Sequence, residues 1–496
     1  MTLEQLRLKH HRLVYKTYTI THSDQSITIS HEFSLEPDIV FRPNVTIPYN
    51  RAYTLEVEAR LAPYAFNLGL IEAISHWKAA CPKEFVVEAG VLSEGQIRFW
   101  YDLFIHGLGE FFFRNQIDFT KPDFFKIHVS AEAEVGMPWF SRRQGPDHGS
   151  VRNPSSAKAV TTLETTRLPA SALPTSDLVL VGGGKDSAVT LGIMKQSDRT
   201  IQTMILESTS NTKAALENIR AAGLSDPIIV RRTIDPKLLE LNKEGYLNGH
   251  TPFSAYLAFL GITVAALNGH ENVIVSNEKS ASEGNVMYKG LEVNHQYSKS
   301  FRFEQAFRAY VLNAFEGPAN YFSLLRPLND VQISLIFSKH PEFFTTFRSC
   351  NVGSKHNTWC GACPKCAFTY LTLSPFLSQE QMVVIFGGDL LTREEIIDHV
   401  RALVGLTPVK PFECVGTRDE AKLAVVLAVT KYIHESREVP EGLLKVKSDL
   451  NLSESDVARL KESVIDNWGD TYNLPPEHLT ILRKTWERAR TDVKTE

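Results

Sequence analysis

The chain has 496 residues, 43% of them hydrophobic and 22% charged, with a formal net charge of −4 at neutral pH. That length suits two or three domains of an ordinary globular protein, and the slightly acidic balance speaks against nucleic acid as the main partner. Six cysteines, four of them crowded between 350 and 366, point to a reducing compartment and a bound metal rather than a disulfide scaffold. The opening Met-Thr-Leu-Glu-Gln-Leu-Arg-Leu-Lys-His-His is too charged for a secretory signal. The longest apolar run, Tyr256 to Leu267, is too short to span a bilayer. A cytoplasmic protein without a membrane partner is expected.

Residues 1–135 read as an α+β domain. Ser26–Ser30, Tyr53–Glu58 and Phe125–Ser130 alternate apolar and polar residues as strands do, while Asn67–Lys78 and Gly95–Arg114 have helical spacing. Residues 136–176 are rich in Pro, Ser, Thr and Gly without a period, the mark of a linker or loop.

From 177 to 375 strands and helices alternate, which predicts a doubly wound α/β unit on a parallel sheet. Strand Leu178–Val181 runs into Gly182, Gly183 and Gly184, then Lys185, Asp186 and Ser187 open a helix. Glycines bring the backbone close to an anion and a helix start points N–H groups at it, so this loop is a candidate phosphate cradle. Strands Thr203–Leu206, Ile228–Arg231 and Val273–Ser276 follow, separated by helices over Lys213–Ala222, Pro236–Asn242 and Pro252–Leu267. Ligands in such sheets sit beyond the carboxyl ends of the strands, which singles out three loops. Besides the glycines these are Glu207–Ser210 and the polar stretch Ser276–Asn285, whose Asn277, Glu278, Lys279 and Glu283 suit substrate and Mg²⁺. Ser208 and Ser210 could equally cap the next helix. His295 and Lys299 precede the amphipathic helix Phe303–Phe315 and are candidates for acid–base work and anion binding. His250 is a weaker candidate, because Thr251-Pro252 already reads as a helix start.

Cys350, Cys360, Cys363 and Cys366 supply four thiolates, enough for a closed tetrahedral zinc site of structural type, with His356 as a spare ligand. An iron–sulfur cluster is the competing occupant. Residues 376–496 are helical by spacing, over Gln379–Phe386, Arg393–Val404, Glu420–His434, Glu454–Val464 and Glu477–Arg488. Cys414 reads as a small buried hydrophobe.

The glycine loop resembles the S-G-G-x-D-S loop of the PP-loop ATP pyrophosphatases, with Gly182 in place of the first Ser. Loop and cysteine spacing together resemble the 7-cyano-7-deazaguanine synthases, which adenylate a carboxylate and carry a zinc site; that analogy favours zinc. A wider resemblance is to the UDP-N-acetylmuramoyl-L-alanyl-L-glutamate epimerases of bacterial peptidoglycan synthesis. It rests on Val181-Gly-Gly-Gly-Lys-Asp-Ser187, Ser276-Asn-Glu-Lys-Ser-Ala281, Val293-Asn-His-Gln-Tyr-Ser-Lys-Ser300, Cys360-Gly-Ala-Cys-Pro-Lys-Cys-Ala-Phe368 and Lys410-Pro-Phe-Glu-Cys-Val-Gly-Thr417, in that order. It implies ATP and Mg²⁺ as cofactors, an acyl-adenylate, and a UDP-N-acetylmuramoyl-dipeptide as small-molecule substrate, with the N-terminal domain at the UDP-sugar end. It also implies that Gly182–Ser187 hold phosphates, with Glu207 and Ser208 near the nucleoside. Asn277, Glu278, Lys299 and Arg326 would meet pyrophosphate or the dipeptide carboxylates, and the acid–base pair would come from Glu283, His295 and Lys279. Oligomeric state is left open.

Overall fold

The computed structural model describes residues 1–129, 176–207 and 212–494. The expected linker, except Ser176, lies outside these residues, as do Ser208 and Ser210.

Thirteen strands are formed among the described residues. They are β1 Arg12–His22, β2 Ser26–Leu35, β3 Ile39–Phe41, β4 Asn44–Pro48, β5 Glu84–Val87, β6 Lys126–Val129, β7 Ser176–Leu180, β8 Thr200–Glu207, β9 Ile228–Thr233, β10 Asn272–Val275, β11 Val286–Tyr288, β12 Leu291–Val293 and β13 Asn320–Ser323. Eleven share one sheet of order β13-β10-β7-β8-β9-β4-β2-β1-β5-β6, with β3 paired to β2; β11 and β12 form a separate hairpin. The stretch β13-β10-β7-β8-β9 is parallel throughout. Its chain order reverses between β7 and β10, so the loops after these two strands diverge and leave a crevice at their carboxyl ends. The expected doubly wound arrangement is present here.

The N-terminal strands continue the same sheet, because β4 pairs antiparallel with β9 from Asn44 opposite Thr233 to Thr46 opposite Arg231. A buried ion pair reinforces this seam: Arg232 donates to both carboxylate oxygens of Glu72 at 2.9 and 2.7 Å, its guanidinium lying 4.5 Å from the centre of the Tyr256 ring.

Alternation along the parallel strands serves two layers at once. Leu178, Leu180, Met204, Val230 and Val273 face the core shared with the N-terminal half. Val179, Val181, Ile205, Ile274 and Phe322 face the core built with the C-terminal helices. The apolar run expected as a buried helix is the helix Phe253–Asn268, and a Cβ at Gly261 would stand 2.8 Å from Val273 Cγ1, so its lack of a side chain lets this helix lie on β10.

Two local expectations are corrected. Tyr53–Glu58 is the start of the helix Leu55–Trp77, where Thr54 accepts from Val57 N and Glu56 and Glu58 lie in the first turn. A side-chain cap and acidic residues at the positive end of the helix outweigh six residues of alternation. β1 was not anticipated, because its register shifts between Tyr15 and Thr17 and the period of two breaks there. Elsewhere the C-terminal region is helical as expected, including Gln379–Phe386 and Arg418–His434. Among the described residues no helix is long and apolar enough to cross a membrane.

Candidate active site

At the crevice between β7 and β10 the backbone of Gly182–Gly184 leads into the helix Lys185–Met194, which has Gly184 at its cap and no side-chain cap bond. Gly183 has φ of 82°, and a Cβ there would lie 2.9 Å from both Ala214 Cβ and Ala215 N. A Cβ on Gly182 would meet nothing within 4 Å, since that residue faces open space. The loop is tied down from behind: Arg348 N donates to Gly183 O at 2.8 Å, Lys185 N to Ser349 Oγ at 3.1 Å, and Ser187 Oγ to Gly184 O at 2.9 Å. In front of it opens a cleft of about 260 Å³. Its lining is mixed: Met204, Leu206, Phe253 and Leu257 are apolar, whereas Asp186, Asn277, Lys299, Arg348 and Lys365 are polar and mostly cationic. Such a mixture suits a ligand with a flat apolar part and an anionic part.

Lys185 does not stand free for phosphate. Its ammonium is buried and donates to Asp186 Oδ1 at 2.7 Å and Asp330 Oδ1 at 2.8 Å. Burial opposes its charge, but the two carboxylates outweigh it and raise the lysine above its ordinary value. Asp330 opens the helix Asp330–Phe337 and had no signature in the sequence; burial and the nearby Asp186 push it up despite Lys185. Glu278, also buried, has an Oε2 with no partner, and burial pushes its carboxyl up to about 8 against the pull of Lys299.

The other anticipated residues are distributed unevenly. Asn277 and Lys299 border the cleft. Arg326 does not: it is 1% exposed, its Nε and Nη2 bind Glu304 Oε2 at 3.0 and 2.9 Å, and two further donors hold Glu278 O and Lys299 O, both at 2.7 Å. It shapes the two loops from beneath, with four of its five N–H donors engaged inside the protein. Glu283 accepts from Lys410 Nζ at 2.9 Å and Arg418 N at 3.2 Å. Lys279 donates its backbone N–H to Leu328 O at 2.8 Å. Neither lines the cleft. Glu207 pairs with Arg231 at 2.5 Å and is outside the lining as well.

His295 has partners from remote parts of the chain. Its Nδ1 lies 2.5 Å from Glu110 Oε2, and the ring of His250 stacks obliquely at 4.3 Å. Burial lowers the His295 imidazole, but hydrogen bonds to Cys414 and Glu110 prevail and raise it to about 9. Burial and the His295 charge push His250 down to about 3. Cys414 is therefore not the plain apolar filler expected. Burial raises its thiol, yet Lys299, Lys365 and His295 together hold it well below its ordinary value.

The four clustered cysteines meet in space. Sulfur separations are 3.9 Å for Cys350 and Cys363, 3.7 Å for Cys360 and Cys366, and 3.5 Å for Cys363 and Cys366. A tetrahedral ion with sulfur bonds of about 2.3 Å needs edges of about 3.8 Å. Backbone N–H groups of Gly353 and Cys366 point at Cys350 Sγ and Cys363 Sγ at 3.1 and 3.4 Å, which suits thiolates. His356 is not part of this group. Between the ligands, Lys365 reaches the cleft.

Comparison with known families resolves the ancestry of this arrangement. The model of the MurL N-terminal domain matches residues 5–324, and that of the MurL C-terminal domain matches residues 345–456. The chain belongs to the MurL family. A relative from Xanthomonas oryzae pv. oryzae is 33% identical over 373 residues, which cover 73% of this chain and 74% of that protein. Relatives from a Micromonospora strain and from Salinispora tropica are 33% and 32% identical, each over 73% of this chain and over 73% and 72% of their own. All three bear the name UDP-N-acetyl-alpha-D-muramoyl-L-alanyl-L-glutamate epimerase. The two MurL spans split the site: Glu110, the glycine loop, Glu278, His295 and Lys299 fall in the first, the cysteine cluster and Cys414 in the second.

Gly183→Ala is expected to lower folding stability by about 1–2 kcal/mol through its left-handed backbone alone, with the clash against Ala214 adding to this. Gly182→Ala should stay within about 0.5 kcal/mol of the parent. Urea unfolding of the two variants checks the contrast.

Proposed function

We propose that this chain inverts the terminal L-glutamate of UDP-N-acetylmuramoyl-L-alanyl-L-glutamate, with ATP consumed to AMP and pyrophosphate through an acyl-adenylate. The observation that carries the reading is the cleft at the strand-order reversal, lined by both apolar and cationic residues, in a chain whose relatives are named as that epimerase. The glycine loop fits the PP-loop pyrophosphatase pattern, which supports ATP as the occupant.

The chemistry follows from the substrate. A carboxylate beside an α-carbon resists loss of the α-proton, since a second negative charge would develop next to the first. Esterifying it with AMP removes that charge and makes the carbonyl electron-withdrawing, so the α-proton becomes acidic enough for a side-chain base. One group takes the proton, another delivers one to the opposite face, and water then releases AMP. In this reading the backbone of Gly182–Ser187 holds phosphate oxygens, with the helix start at Lys185 adding its dipole. Lys299, Lys365 and Arg348 meet the charge of the pyrophosphate and substrate carboxylates. The apolar wall at Met204, Leu206 and Phe253 takes the adenine.

Asp186 is the carboxylate that borders the cleft, and its oxygens suit Mg²⁺ held directly or through water beside the phosphates. When bound there, Mg²⁺ would neutralise phosphate charge. Cys350, Cys360, Cys363 and Cys366 fit zinc by their spacing, and the ion would fix the wall that carries Lys365. Four protein ligands make this a structural site.

With UDP-N-acetylmuramoyl-L-alanyl-L-glutamate, ATP and Mg²⁺, the chain should form the D-glutamyl product together with AMP and pyrophosphate; chiral analysis of the released glutamate showing only the L form would refute the proposal. Elemental analysis should find about one zinc per chain. Cys363→Ser should lose the metal and melt at a lower temperature, and a metal-free chain of unchanged melting point would remove zinc from the account.

A further inference from the structure

Apart from the glycine loop and the cysteine cluster, three further metal-ligating side chains come together in the fold. Glu110 lies on the helix Gly109–Arg114, His250 precedes the helix Phe253–Asn268, and His295 follows β12. Their ligand atoms, one from each residue, all lie within 4.8 Å of one another. Glu110 Oε2 is the common point: it stands 2.5 Å from His295 Nδ1 and 3.6 Å from His250 Nδ1. The centres of the two imidazole rings are 4.3 Å apart, with the rings tilted by 45°. Glu110 is buried and both histidines are half-buried.

The backbone around each of the three is fixed by bonds of its own. Asn285 Oδ1 accepts from His295 N at 2.8 Å, and Asn285 N donates to Val293 O at 2.8 Å. A Cβ on Gly109 would stand 3.2 Å from Val293 Cγ1, so this glycine lets the Glu110 helix lie against the His295 segment. Just before His250, Asn248 O accepts from Asn115 Nδ2 at 3.1 Å and Gly249 O from Lys78 Nζ at 2.5 Å. The other carboxylate oxygen, Glu110 Oε1, accepts from Arg114 Nε at 2.5 Å, which turns Oε2 toward the imidazoles. A hydrogen bond to the second oxygen is how a ligating carboxylate is oriented toward its ion.

We propose that Glu110, His250 and His295 form a site for a divalent first-row transition ion such as Zn²⁺, separate from the cysteine cluster. Two imidazole nitrogens and one carboxylate oxygen are donors that such ions take, whereas Mg²⁺ prefers oxygen alone. With bonds of about 2.0–2.1 Å, a tetrahedral ion needs edges of about 3.4 Å between its ligands. The edge from Glu110 to His250, at 3.6 Å, already meets this. The 2.5 Å edge to His295 meets it once the two side chains part by about 1 Å. Entry of the ion displaces to solvent the proton of the Glu110–His295 hydrogen bond, so the proton count closes. Three protein ligands leave a position open for water or another oxygen ligand, as four thiolates do not. They also hold the ion less tightly than the cysteines do, so this site fills from added metal.

The test titrates the full-length protein, its cysteine-bound metal in place, with Co²⁺, whose visible absorption reports its ligands. One further equivalent of Co²⁺ should bind, giving d–d bands without the thiolate-to-metal charge-transfer bands of a cysteine site. Binding to the folded chain should also raise its melting temperature. His250→Ala and Glu110→Gln should each lose this equivalent, its absorption and the thermal shift. Both variants should keep the cysteine-bound metal, which shows that they fold. A parent that takes up no further Co²⁺ would overturn the proposal. So would a further equivalent that carries thiolate charge-transfer bands, or one that survives His250→Ala. The readout needs neither ATP nor a sugar nucleotide, so failure of the epimerase reading would leave this result standing.

Discussion

The buried ammonium of Lys185, shared by Asp186 and Asp330, is the contact on which the site depends. It joins the helix that opens at the glycine loop to the helix Asp330–Phe337 in a place that water scarcely reaches. Removing one partner of such a group leaves an uncompensated buried charge at a cost of about 3–5 kcal/mol. The linkage extends further: Glu420, at the start of a C-terminal helix, accepts from Asp330 N at 2.5 Å, from Ser280 Oγ at 2.8 Å and from Thr417 N at 2.6 Å. One carboxylate thereby couples the loop after β10, the Asp330 helix and the segment that bears Cys414. The shape of the glycine loop is thus a property of three stretches of chain.

The other half of the molecule enters the site through the same sheet. Since β4 pairs with β9, the N-terminal strands are a continuation of the parallel sheet, and the helix Gly109–Arg114 can bring Glu110 to His295. At the opposite edge, Asp177 at the start of β7 accepts from Arg199, Asn272 and His478, which fastens the last helix across the amino ends of the strands. Rigidity at that edge leaves the carboxyl ends free to diverge into the cleft.

What could be read from the sequence was what is local in the chain. The glycine loop, the alternating strands and helices, the four cysteines and the C-terminal helices all follow from spacing within a short window, and the structure contains them. The strand expected at Tyr53–Glu58 failed because a cap at Thr54 decides more than six residues of alternation. Arg326 looked like an anion ligand by its type and place; it is buried beneath the loops, with four of its five donors spent on Glu304 and two backbone carbonyls. Asp330 and Glu110 carried no signal, since each acquires its meaning from a partner 145 or 185 positions away, Lys185 for Asp330 and His295 for Glu110. Polar residues that assemble only in the fold have no period to betray them.

The central claim is that ATP activates the glutamyl carboxylate itself. The most direct measurement labels both oxygens of that α-carboxylate with ¹⁸O and follows the phosphorus product of a single turnover by mass spectrometry. Attack of the carboxylate on the α-phosphorus, followed by water at the acyl carbon, predicts one ¹⁸O in the AMP. Unlabelled AMP accompanied by full inversion would contradict the account.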